Sequence, residues 1–159
     1  MYFPATDDEY ESLKQESTLL VDLRRRNVFY KSIEIPTRPA GQGRHLQNQA
    51  LAVLAILALR NGEAISETDL NTEVFNLGLL NDNVGANLRD IRRRIVGPFE
   101  DVVEGTAVTA KEVKALVKVV RGMGQIALHV DGSVRVIGLA KPAETTSAEQ
   151  QTAAQECPA

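Results

Sequence analysis

The chain has few aromatic residues and no tryptophan: Phe, Trp and Tyr make up 4% of its 159 residues. Aliphatic packing must therefore build the core, and the 43% hydrophobic content is enough for one of ordinary size. The only cysteine is Cys157. A lone thiol makes no intramolecular disulfide and no cysteine-rich metal site. His45 and His129 stand far apart without ligand-like neighbours and read as ordinary loop or surface residues. The longest apolar run, Ala50–Leu59, has about half of the ~20 residues that a membrane span needs. The first residues lack the charged-then-apolar pattern of a signal peptide. These absences predict a soluble cytoplasmic protein with no membrane partner. No nucleophile elbow, phosphate-binding glycine loop or HExxH pair occurs. The glycines of Arg121–Gly124 do not lead from a strand into a helix, so they are no dinucleotide fingerprint. The expectation is a protein that is not an enzyme and uses no cofactor or metal.

Basic excess is missing too. The net charge is −3, whereas a dedicated nucleic-acid binder is usually basic over its domain. The charge is uneven, however. Asp7, Asp8, Glu9, Glu11 and Glu16 crowd the start, and Glu144, Glu149 and Glu156 lie near the end, leaving a more basic middle. Three regions follow: an acidic arm at 1–17, a folded domain at 18–138, and a tail at 139–159. The tail is rich in Ala, Thr, Gln and Glu and is expected to be disordered.

Within the domain, Thr18–Ile35 alternates short apolar runs with polar turns, which predicts a small antiparallel sheet. Pro36, Pro39, Gly41 and Gly43 make a loop. Asn48–Arg60 is apolar nearly all round and reads as a central buried helix, ended by Asn61-Gly62. Ile65 reads as a bridging strand residue. Ser66, with Asp69 three residues on, starts a second helix whose buried side is Leu70, Val74 and Phe75. Asn76–Asn83 is a loop. Gly97-Pro98 is expected to end the helix that follows it, and Thr109–Val117 to form a further short helix. Asp131-Gly132 is a hairpin signal joining strands at Ala127–Val130 and Val134–Ile137.

The stretch Val84–Ile95, VGANLRDIRRRI, is the most informative. Val84, Leu88, Ile91 and Ile95 share one helical stripe at ~100° per residue. Arg89, Arg92, Arg93 and Arg94 occupy the remaining face. Guanidinium groups match phosphate oxygens with a planar fork and stay charged at neutral pH. The alternative is a solvated helix end whose positive charge complements the dipole. Val119–Gln125, VVRGMGQ, follows as a strand, a glycine turn with Arg121 at its tip, and a second strand. Arg24, Arg25 and Arg26 form another basic cluster, read as a solvated hairpin turn.

Val84, Asn87, Leu88, Ile91, Arg92–Arg94 and Ile95, followed by Val120, Arg121, Gly122 and Gly124, resemble the OmpR/PhoB-type winged-helix domain of bacterial response regulators. The resemblance implies an α+β fold: a winged helix-turn-helix with an N-terminal antiparallel sheet, a three-helix core and a C-terminal β-hairpin wing. It further implies a transcriptional regulator without a receiver domain. The recognition helix would lie in the major groove of double-stranded DNA and Arg121 on flanking DNA. Asn87, Arg89, Asp90, Arg92, Arg93 and Arg121 would be the DNA-binding residues. Copies would pair as a homodimer on repeated half-sites, and the loop at Asn76–Asn83 is where family members contact RNA polymerase.

Several residues depart from that pattern. Asp90 carries a carboxylate, which phosphate repels, and it stands one turn from Arg94. Gly85 weakens a helix start. Gln125 replaces an aromatic anchor, and Gly97–Lys118 is an insertion. The alternative reading is thus a protein–protein interaction module on the same scaffold with weak or no DNA binding, using Val113, Leu116 and Val117 as an apolar surface. Fold alone does not choose between them. One uninterrupted positive face would favour DNA. A face broken by Asp90, Glu100, Asp101 and Glu104 would favour a protein partner.

Overall fold

The computed structural model describes residues 1–39, 44–77, 87–120 and 122–138. In chain order it contains α1 (Asp7–Glu16), β1 (Leu19–Asp22), β2 (Asn27–Tyr30), β3 (Ile33–Ile35), α2 (Asn48–Leu59), β4 (Ile65–Ser66), α3 (Glu67–Leu77), α4 (Leu88–Val103), α5 (Ala110–Lys114), β5 (Val117–Val120), β6 (Gln125–Leu128) and β7 (Val134–Ile137). At its centre lies α2, buried at every residue from Ala50 to Ala58. A helix that is apolar on all sides has no face to offer water, so other elements must enclose it. Strands β1, β6 and β7 and helices α3 and α4 do so.

Two sheets frame this core. The larger has the order β3-β2-β1-β7, and the smaller β4-β6-β5. The β1–β2 and β2–β3 pairs are antiparallel, as the alternation in Thr18–Ile35 predicts. Successive side chains of a strand point to opposite faces. Leu19 and Val21 accordingly join the main core, while Leu20 packs with Tyr10, Phe29 and Ile137 beneath α1. Helix α1 is thereby seated on the outer face of the larger sheet.

The molecule does not form the expected three-helix core with a C-terminal hairpin wing. The described residues form five helices and two sheets, and the main sheet has four strands. The last strand, β7, does not fold back on β6. It joins the N-terminal sheet parallel to β1, with Leu19 opposite Val134 and Asp22 opposite Ile137. Asp131-Gly132 does turn the chain, but Gly132 has φ +137° and a Cβ there would lie 2.3 Å from Thr18 Oγ1. Thr18 N–H and Leu19 N–H both donate to Ser133 O, at 2.8 and 3.1 Å. The turn is therefore packed against the start of β1, which captures the next strand. A two-residue turn signal fixes a change of direction, not the partner.

Three local expectations also change. Helix α4 does not stop at Gly97-Pro98 but runs on to Val103 with Pro98 inside it. An interior proline costs about 3 kcal/mol. The burial of Val96, Pro98, Phe99 and Val103 opposes that cost. Gly97 serves a contact instead, since a Cβ there would lie 2.6 Å from Arg44 Nη1. The Arg44 guanidinium crosses the helix at this point and donates to Asp101, from Nε at 3.0 Å and Nη2 at 2.9 Å. Phe75 faces outward at 61% exposure, not inward with Leu70 and Val74. The helix expected at Thr109–Val117 closes after Lys114, and Val113, Leu116 and Val117 are buried in the body. They form no apolar surface.

Other signals match the expected elements. Asn61-Gly62 follows α2, with Gly62 at φ +90°. Ser66 Oγ accepts from Asp69 N–H at 3.2 Å at the start of α3. Among the described residues no helix is long and apolar enough to cross a membrane. The glycines of the 36–43 loop, most of the Asn76–Asn83 loop, Val84–Ala86, Arg121 and the 139–159 tail lie outside the described residues.

Candidate nucleic-acid interface

Helix α4 begins where Asn87, in extended conformation, accepts a hydrogen bond from Asp90 N–H at 2.8 Å through its side-chain oxygen. This is the usual way to satisfy a free amide of the first turn. Asn87, expected to touch DNA, thus serves as the helix cap. Leu88, Ile91 and Ile95 turn into the core, leaving the arginines on the other faces.

Those arginines have four different surroundings. Arg89 is exposed and forms no ion pair with the described residues. Arg92 is half-buried, and its guanidinium is used internally. Nε donates to Val117 O at 2.7 Å and Nη2 to Lys114 O at 2.6 Å. It bridges α4, the last turn of α5 and the first residue of β5. Arg93 has a side chain 72% exposed and is paired with Asp90. Arg94 turns to the other side of the helix, bonding Gln49 Oε1 at 2.8 Å and Asp90 Oδ2 at 3.1 Å. Asp90 therefore neutralises Arg93 and Arg94.

Between α4 and β5 lies an open groove of about 860 Å³. Asn87, Leu88, Arg89, Arg92 and Arg93 form one wall, and Val117–Val120 with Gly122 and Gly124 the other. Lys114 and Lys118 add two more cations. Five cationic side chains and no carboxylate thus line it among the described residues. Arg92 has carbonyls as its partners, so its charge is not cancelled. Lys118 is exposed and lacks an ion pair with the described residues. Lys114 lies 3.7 Å from Glu100. Glu100 is thus shared between Lys114 and Arg44, while Asp101 is directed to Arg44 along the later turns of α4. There the Arg44 guanidinium holds the Asp101 carboxyl below the usual range.

Arg89, Arg92 and Arg93 therefore come together, and Asn87 borders them. Asp90 stays out of the groove lining. Sequence reading missed Lys114 and Lys118. The only signal for Lys118 is its place between Val117 and Val119, which puts it on the opposite strand face. Nothing local indicates that β5 lies beside α4. Compared with known proteins, the chain matches no protein-family model and no curated protein.

Proposed function

We propose that this protein binds double-stranded DNA through the groove between α4 and β5 and acts as a transcriptional regulator. The observation that carries the reading is that five cationic side chains and no carboxylate line the groove among the described residues, with Arg93 and Lys114 paired to Asp90 and Glu100 and Arg89, Arg92 and Lys118 without a carboxylate partner there. Phosphate contacts dominate non-specific affinity, and guanidinium and ammonium groups supply them. Arg89 and Arg93 stand one helical turn apart and face the same groove. Among the described residues no aromatic side chain lines it, and stacking platforms are what single-strand binders use. A duplex backbone is the better match. The likeness of Val84–Ile95 to the recognition segment of response regulators supports the regulatory role.

Fluorescence anisotropy with a random-sequence duplex at several salt concentrations tests this reading, comparing wild type with Arg89→Ala/Arg93→Ala. Affinity should fall steeply with salt. The variant should bind more weakly with a shallower slope, by about one unit per lost phosphate contact. Absence of binding at low salt would overturn the proposal.

A protein partner in place of DNA is favoured by two other observations: Asp90 neutralises Arg93 and Arg94, and Phe75 is exposed on α3. Under that reading the duplex would not bind and Phe75→Ala would abolish partner capture.

A further inference from the structure

We infer that the free edge of β5 receives an acidic, extended peptide segment, which adds a strand to the smaller sheet inside the cationic groove. Among the described residues strand β5 is an edge strand, paired with β6 alone. In an antiparallel pair the amides of alternate residues point toward the partner and away from it. Three bonds fix which residues do which. His129 N–H donates to Leu116 O at 2.7 Å, so the pairs at Leu116, Lys118 and Val120 face β6. Gly62 N–H donates to Leu128 O at 2.8 Å on the far side of β6, which places residue 128, opposite Val117, out of the β5–β6 ladder. Arg92 Nε reaches Val117 O from the groove side. Val117 and Val119 therefore present their backbone groups to the groove.

Arg92 occupies one of these acceptors. Val117 is itself buried, so among the described residues both backbone groups of Val119 are what is left for an incoming strand. Natural edges are blunted by charge, cover or bulges. Here the flanking charges, Arg89, Arg93 and Lys118, repel a second copy of the same edge and attract carboxylates. An extended segment with acidic residues at alternate positions satisfies both the edge and the walls, the usual pattern of strand addition. The segment would occupy the space assigned to DNA above. Its role as a competitor of the duplex rests on that reading, but its binding does not.

The probe is a fluorescein-labelled heptapeptide of alternating Glu and Val, with the same peptide N-methylated at every peptide nitrogen as the control. Both have the same charge, but only the first can donate to the edge. Val119→Pro is the matching protein variant. It removes one groove-facing N–H and no β5–β6 ladder bond, the situation in which an edge strand tolerates proline. The unmethylated peptide should bind at least tenfold more tightly than the methylated one. Val119→Pro should weaken it about tenfold. Arg89→Ala/Arg93→Ala should weaken both ligands, and peptide should displace duplex.

Equal binding of the two peptides, or none of either, would overturn the inference. Circular dichroism checks that Val119→Pro is folded; if it is not, the peptide comparison on wild type decides alone. Peptide binding without duplex binding would sink the DNA reading and leave this one standing. The reverse result would sink this one only.

Discussion

Two arginine clusters in one chain are treated in opposite ways. Arg24–Arg26 lie in the turn between β1 and β2, and the acidic N-terminal region closes over them. Arg24 Nη2 donates to Pro4 O at 3.3 Å, and Arg25 Nη2 to Asp7 Oδ1 at 3.2 Å. The Arg25 guanidinium also lies 3.9 Å over the ring of buried Tyr10. The cluster at Arg89–Arg94 is split instead. Arg94 turns away, Arg92 ties the elements together, Arg93 faces an open groove while paired with Asp90, and Arg89 faces it without an ion pair to the described residues. Runs of like charge in a sequence thus do not mark a site. What marks one is the set of groups that neighbouring elements bring up to neutralise it, or fail to bring.

The largest effect should come from Arg92 rather than from its exposed neighbour. Arg92→Ala removes two charge-assisted hydrogen bonds, leaving Val117 O and Lys114 O to water. The expected loss is about 2 kcal/mol, a drop in Tm of roughly 4–8 °C for a domain of this size. Arg89→Ala should stay within ~0.5 kcal/mol. Thermal denaturation of the two variants measures the contrast. Equal melting temperatures would show that Arg92 is not a strut and return it to the DNA-contacting set.

This contrast also shows how much of the molecule was legible in sequence. The buried stripe of α4, the burial of α2, the caps at Ser66 and Thr109 and the first three strands follow from local periodicity and capping chemistry. Pairing between distant elements does not. Nothing near Val134 indicates that β7 joins β1, or that Gly97 makes room for Arg44 and is no stop signal. The same holds for the site. Arg89, Arg92 and Arg93 were readable as one face, but the internal use of Arg92 depends on where residues 114 and 117 are placed by the fold. Phe75 failed because the side of α3 that meets the core is set by packing against α2, and the helix is only weakly amphipathic in sequence.

A smaller effect is expected at Asp22, beside the first cluster. Asp22 is fully buried at the end of β1. Oδ1 accepts from Arg25 N–H at 3.0 Å, while Oδ2 has no hydrogen-bond partner among the described residues. Burial pushes its carboxyl above the ordinary 3.8, against the opposing pull of the Arg25 and Arg24 amides and charges. The folded state therefore holds a proton that the unfolded chain releases. Stability falls as pH rises from 3.8 through the raised folded value, and the cost is complete above it. Asp22→Asn keeps the acceptor without the charge. It should stabilise the protein by ~1 kcal/mol at pH 7, with the gain vanishing as pH is lowered toward 3.8. Denaturant titrations at several pH values measure it. A gain that does not depend on pH would mean that the buried charge is not the cause.

The smallest effect separates the two contacts of Arg25. The Asp7 side chain is 95% exposed, and an ion pair so open to water and salt contributes little. Asp7→Ala should leave the melting curve unmoved. Arg25→Ala also removes the cation from the face of Tyr10 and uncovers a ring that is otherwise 6% exposed. Its cost should be about 0.5–1 kcal/mol, and it should not respond to added salt. Neither substitution should change duplex affinity or its salt slope. If Arg25→Ala weakens DNA binding as much as Arg89→Ala/Arg93→Ala does, the two clusters act as one field. The groove would then have no special claim on the ligand, because neutralisation by the acidic arm would not have silenced the first cluster.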